Sequence, residues 1–142
     1  MTDRPAVDTS LRERLAAAIA SGPSLALAVL FGSAAQGVLR ANSDVDVAIV
    51  PMEGGLDAAA ETLLWRRLTA AARREVDLVR VDETPTLLKW RIATTGIPLF
   101  EVQPGTFAHF QASAASEYMD YAPTLAHCGE LFRRRLAGAS TS

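Results

Sequence analysis

Three aspartates in this chain lie in apolar, strand-like surroundings. Asp44 and Asp46 are separated by one residue in Ser43-Asp44-Val45-Asp46-Val47-Ala48-Ile49-Val50, and Asp77 sits inside Glu75-Val76-Asp77-Leu78-Val79. In an extended strand successive side chains alternate between faces, so Asp44 and Asp46 share one face while Val45 and Val47 take the other. Carboxylates in such strands are costly unless they are paired, hydrogen-bonded or bound to metal. Three of them on neighbouring strands repel one another unless a cation intervenes. Mg²⁺ resolves the conflict, because it takes carboxylate, phosphate and water oxygens. Two such ions about 4 Å apart clamp the attacking and leaving oxygens of an in-line displacement at phosphorus. A fourth feature fits that chemistry: the apolar run Leu25 to Phe31 stops at Gly32-Ser33. A glycine there lets the backbone approach a phosphate, with amide N–H groups and the serine hydroxyl as donors. Taken singly, each feature has an ordinary reading: a turn, a capping pair, a half-exposed strand residue. Their conjunction is what carries the inference.

The elements that position these residues are legible as an alternation of helices and strands. From Thr9 or Ser10, an N-cap, Leu11, Leu15, Ala18 and Ile19 recur at helical spacing, and Ser21-Gly22-Pro23 ends the segment. Residues 1–8 read as a loose polar arm. Leu25 to Phe31 is continuously apolar, as in a strand covered on both faces. Ala34 to Leu39 is expected as a short helix, followed by a polar loop through Arg40, Asn42 and Ser43. Asp44 to Val50 reads as a second strand closed by Pro51. A helix follows with Leu56, Ala60, Leu63, Leu64, Leu68 and Ala71 on one face; Arg66, Arg67, Arg73 and Arg74 are assigned to its solvated side.

Glu75 to Val81 is the third strand. Thr84-Pro85 offers a cap and an N1 proline for a helix through Leu87, Leu88 and Ile92, with Gly96 as its C′ stop. Ile97 to Val102 is a fourth strand, confined to a sheet edge by Pro98. A long helical pattern then runs through Phe107, Phe110, Ala114, Tyr118, Tyr121, Leu125, Cys128 and Phe132, with Pro123 expected to kink or interrupt it. The expected class is α+β: a small mixed sheet flanked by helices in one domain (1–142), with a core at about 25–102 and a helical C-terminal segment at about 105–137.

Composition narrows the function classes. The 142 residues suit one compact domain; 49% hydrophobic and 21% charged residues support a core and argue against disorder. A formal net charge of −2 argues against a general nucleic-acid binder, and no stable DNA binding is expected. The single cysteine excludes an internal disulfide framework and fits a reducing cytoplasm. Met-Thr-Asp-Arg-Pro lacks the order of a signal peptide, and no apolar run reaches the roughly 18 residues of a membrane span. His109 and His127 stand far apart with no second ligand type nearby, and are not read as a metal site. Lys89 could reach a phosphate, though nothing in the spacing demands it.

The motif order resembles a known family. Gly32-Ser33, ten residues, then Asp44-Val45-Asp46 is similar to the Gly-Ser-x10-Asp-x-Asp signature of the polymerase-β-like nucleotidyltransferases. Phe31-Gly32-Ser33-Ala34-Ala35-Gln36-Gly37 with Ser43 to Ile49 resembles its small branch, the minimal nucleotidyltransferases, and Asp77 matches the third carboxylate. The resemblance is residue-specific from about Leu25 to Val81. It implies the nucleotidyltransferase fold, ATP or another NTP as donor, and Mg²⁺, two ions, as cofactor. It implies Asp44, Asp46 and Asp77 as metal ligands and catalytic residues, with Asp77 also the general base. Gly32, Ser33 and Ser43 fall to nucleotide binding. Family members often carry an arginine shortly after Gly-Ser, where this chain has Ala34, Ala35 and Gln36; Arg40 is the candidate substitute.

Short members of that branch are commonly antitoxins partnered with a HEPN-domain RNase, which they bind and adenylylate on a tyrosine. The resemblance therefore implies a protein adenylyltransferase antitoxin in a hetero-oligomer with its toxin. Two other readings stand beside it: nucleotidyl transfer to a small hydroxyl compound such as an aminoglycoside or to an RNA end, and neutralisation of the toxin by contact alone.

Overall fold

The computed structural model describes residues 9–22, 24–37 and 43–140. The N-terminal arm, Arg40 and Asn42 lie outside the described residues, as do the side chains of Leu125, Cys128 and Phe132. The elements in order are α1 (Thr9–Ala20), β1 (Leu25–Phe31), β2 (Val45–Pro51), α2 (Ala58–Ala72), β3 (Val76–Arg80), a 3₁₀ turn (Val81–Glu83), α3 (Thr86–Thr95), β4 (Ile97–Glu101) and α4 (Thr106–Ser140). No helix among the described residues is long and apolar enough to cross a membrane.

The four strands form one mixed sheet in the order β3-β2-β1-β4. β1 is antiparallel to both β2 and β4, whereas β2 and β3 run parallel. The expected edge position of the Pro98 strand is observed, since β4 pairs on one side only. β1 is internal and buried on both faces, as its unbroken apolar run implies.

Two apolar layers hold the helices on opposite faces of the sheet. Leu11, Leu15 and Ile19 of α1 and Leu64, Leu68 and Ala72 of α2 pack on Ala28, Leu30, Val45, Val47 and Ile49. On the other face Leu27, Val29 and Ala48 meet Ile92, Leu88, Phe107 and Phe110 of α3 and α4. Leu15, Leu30, Leu64, Leu68 and Ile92 are fully buried, each contributing about 1.5–3 kcal/mol of burial. Helices α3 and α4 are bound to each other by Trp90 stacked on Tyr118, with ring centroids 4.6 Å apart. A polar contact adds to this: Glu117 accepts from the Thr86 hydroxyl at 2.8 Å and pairs with Lys89 at 3.4 Å.

Several local expectations are corrected. Residues 34–37 form successive turns, not a helix: Gln36 N–H donates to the Gly32 and Ser33 carbonyls, and Gly37 takes φ +73°. Asp57 caps the start of α2, its carboxylate accepting from Ala60 N–H at 2.7 Å, so Leu56 precedes the helix rather than lying on its face. Leu63 is half exposed, because the buried stripe of α2 runs through positions 64, 68 and 72. Thr84 does not cap α3; its hydroxyl donates to the Arg80 carbonyl at 2.6 Å. Pro123 does not interrupt helix α4, which continues through it, and water can satisfy the carbonyl left unpaired at this exposed stretch. The arginines assigned to a solvated helix face do more: Arg67 of α2 donates to the Ser21 carbonyl, and Arg74, just beyond the helix, to that of Ser43.

Candidate active site

Strand polarity gathers the aspartates. Because β1 runs against β2, the end of β1 lies beside the start of β2, and the parallel β3 begins at the same end of the sheet. Phe31 pairs with Asp46 across one interface, and Asp46 pairs with Asp77 across the other. Val45 and Val47, like Val76 and Leu78, pack toward α1 and α2. Alternation therefore sends Asp46 and Asp77 to the opposite face, the one carrying α3, on strands about 4.8 Å apart. Asp44 stands one residue ahead of β2 rather than within it, and is exposed. The entry to β2 is held by Val45 N–H donating to the Glu75 carbonyl at 3.0 Å and by Arg74 on the Ser43 carbonyl at 3.3 Å.

The electrostatics follow from this crowding. Asp46 is half-buried, and its carboxyl is pushed above the usual carboxylate range, first by burial and then by the negative charges of Asp77 and Asp44. Among the described residues, no three carboxylate, imidazole or thiol groups converge tightly enough to enclose an ion. The arrangement is an open, all-oxygen set of mutually repelling groups. That fits Mg²⁺, which is usually held by one or two carboxylates together with substrate phosphates rather than by an all-protein cage.

Gly32 follows β1 directly, with φ +71°. A Cβ on it would collide with Asp46 Oδ2, so any side chain here both strains the backbone and forces the Asp46 carboxylate to move. In the turn beyond, the amides of Ser33, Ala34 and Ala35 make no backbone hydrogen bonds among the described residues. Consecutive amides of that kind form a cradle for anionic oxygen.

A cleft of about 350 Å³ opens over this turn. Its sheet side consists of Phe31, Gly32, Ser33 and Asp46, with Gln36 at the turn. Its opposite wall is one stripe of α3, formed by Leu88, Arg91 and Thr95 at positions i, i+3 and i+7. A second groove of about 310 Å³ lies at the β3 edge, lined by Val76, Asp77 and Leu78 of β3 and by Glu61, Thr62 and Trp65 of α2. Trp65 is anchored by its Nε1–H on the Val76 carbonyl at 2.8 Å. Sequence reasoning assembled the sheet side of the cleft and missed the α3 wall. The i, i+3, i+7 spacing was the available signal, but Leu88 reads in the sequence only as part of the helical pattern of α3, and nothing there singles out Arg91 and Thr95.

Known proteins share this fold. Residues 13–104 match the family model described as Polymerase beta, Nucleotidyltransferase, and the chain belongs to that family. A curated relative, the protein adenylyltransferase MntA of Shewanella oneidensis, is 37% identical over 81 residues. That match covers 57% of this chain and 58% of the relative, so it spans little more than half of that protein. Among solved structures, a toxin–antitoxin crystal structure with AMP-PNP superposes with a TM-score of 0.72 at 28% identity, covering 85% of this chain and 98% of the other. A variant toxin–antitoxin complex of MntA gives the same TM-score and coverage at 26% identity.

Proposed function

We propose that this chain transfers AMP from ATP to a tyrosine hydroxyl of a HEPN-domain RNase toxin, and so acts as the cytoplasmic antitoxin of that partner. The observation that carries the reading is the in-register apposition of Asp46 with Asp77, beside a Gly32 that has no room for a side chain. The likeness to a relative named protein adenylyltransferase, and to a toxin–antitoxin structure holding an ATP analogue, supports it.

In this reading Gly32 and Ser33 donate hydrogen bonds to the β- and γ-phosphates over the turn amides. Ser43, fixed at its carbonyl by Arg74, flanks the nucleotide. Asp44, Asp46 and Asp77 are the residues that would hold Mg²⁺. When bound, Mg²⁺ supplies neutralising charge to the triphosphate and the departing pyrophosphate. The acceptor hydroxyl oxygen forms a bond to the α-phosphorus while the bond from that phosphorus to the bridging oxygen breaks. Pyrophosphate leaves with the electron pair, and a carboxylate oxygen of Asp77 takes the hydroxyl proton. Asp77 is exposed at the β3 edge, where an acceptor from a separate protein can reach it.

The test is the intact mass of a co-expressed HEPN-domain toxin with ATP and Mg²⁺ present. One or more added AMP units that vanish with Asp44→Asn are expected. Neutralisation that persists in Asp44→Asn and Asp46→Asn without any mass change would instead establish inhibition by contact. Modification of an aminoglycoside or RNA end but not of the toxin would move the chain to another substrate class.

A further inference from the structure

We infer that Arg91 on α3 is the cationic residue that grips the β/γ-phosphates of the nucleotide, from the wall opposite Gly32-Ser33. The inference deepens the proposed nucleotide site and rests on it.

Arg91 lines the cleft that also holds Gly32, Ser33 and Asp46, and it is the one lysine or arginine among the described residues lining it. The turn after Gly32-Ser33 offers Ala34, Ala35 and Gln36, so the sheet side brings backbone amides and hydroxyl but no positive charge. Asp46 puts a negative charge on that same side. A triphosphate entering the cleft therefore meets its only fixed side-chain cation on α3, among the described lining residues.

The geometry of α3 aims the residue. Leu88, Arg91 and Thr95 form a single stripe over the cleft, while Ile92 is turned into the core and Lys89 is paired with Glu117 on α4. The helix cannot rotate to withdraw Arg91 without unseating Ile92 and breaking the Trp90–Tyr118 stack. Its C-terminus is pinned where Gly96 lies against Val29 of β1. Thr95 donates its hydroxyl to the Arg91 carbonyl at 2.6 Å, which bonds the stripe to itself. None of the ion pairs found among the described residues includes the Arg91 guanidinium. An exposed guanidinium with a planar fork of donors, carried on a helix held across from an anion cradle, is suited to bidentate phosphate binding. Leu88, one turn earlier, offers an apolar surface to the rest of the nucleotide.

Calorimetric titration of the wild type, Arg91→Ala and Arg91→Lys with MgATP, AMP and tripolyphosphate tests the assignment. Arg91 is exposed, so both variants are expected to retain the wild-type melting profile. Arg91→Ala should weaken MgATP and tripolyphosphate roughly 10- to 100-fold, the size of a lost charge-assisted contact. AMP binding should change less than about threefold, because AMP has no β- or γ-phosphate. Arg91→Lys should fall between, keeping the charge but losing the fork. Unchanged MgATP binding in Arg91→Ala would overturn the inference, and so would equal losses for AMP and MgATP, which would put the contact on the nucleoside or α-phosphate. A wild type that binds none of the three probes would instead overturn the nucleotide site itself.

Discussion

A methyl group on Gly32 would occupy the space of Asp46 Oδ2, so the end of β1 and the carboxylate of β2 are fitted to each other without a gap. The contact joins two parts of the proposed chemistry, the phosphate-facing turn and the half-buried carboxylate. Gly32→Ala should therefore fail twice. The φ of +71° costs an alanine about 1 kcal/mol, and the added carbon displaces Asp46. The expected outcome is a destabilisation of roughly 1–3 kcal/mol in denaturant titration and at least about a hundredfold loss of AMP transfer. Transfer at wild-type rate would mean that the Asp46 position is not critical.

Asp46 also sets a pH dependence. Its folded-state carboxyl is raised above the unfolded value by burial, Asp77 and Asp44, so the native fold prefers it protonated. The contribution to stability is full below the unfolded carboxylate range and is lost as pH rises through the raised folded value. At neutral pH without metal or nucleotide, the charged residue is thus a cost. Asp46→Asn should raise Tm at pH 7 by on the order of 1–2 °C, with the gain shrinking toward zero near pH 3, while abolishing transfer. A lower Tm for the variant at pH 7 would contradict this account. Saturating Mg²⁺ should narrow the difference by stabilising the wild type alone.

The sheet side of the site was legible because it is written in local pattern. Unbroken apolar runs fixed β1, and carboxylates inside such runs stood out at Asp46 and Asp77 against the energetic cost of placing them there. The α3 wall was not legible. Whether Arg91 faces solvent or a cleft depends on the rotation of α3, and that is set by its packing against α4 and β1 through Trp90, Tyr118 and Gly96. The same kind of long-range determinant misplaced Leu63, whose exposure follows from the seating of Leu64 and Leu68 on the sheet. Residues 34–37 failed for a different reason: Ala34 and Ala35 favour helix, but Gly32 and Gly37, both at positive φ, bend the segment into turns.

Gly96 is required for a reason that its position after a helix does not reveal. Its φ is −76°, within reach of any residue, so no left-handed cap is involved. A Cβ would instead strike the Ile92 carbonyl and the Val29 side chain, since α3 ends pressed against β1. Gly96→Ala should cost roughly 1–3 kcal/mol through overpacking, measured by chemical denaturation. Because α3 carries Arg91, the same variant should also raise KM for ATP, whereas an Ala substitution at the open Gly54 should leave KM unchanged.

Arg73 offers the opposite case, a position where the chain is less stable than it could be. It terminates α2 in the left-handed region at φ 60°, with its N–H on the Thr69 carbonyl at 3.0 Å. A non-glycine residue there carries a conformational cost of about 1 kcal/mol. Arg73→Gly keeps the backbone hydrogen bond and relieves that cost, offset in part by the greater freedom of glycine in the unfolded chain. The net expectation is a gain of about 0.5–1 kcal/mol, seen as a higher midpoint in urea at unchanged slope. AMP transfer should be unaffected, because Arg74 and not Arg73 holds the Ser43 carbonyl at the entry to β2. A loss of stability in Arg73→Gly would mean that the arginine side chain contributes more than the strained backbone costs.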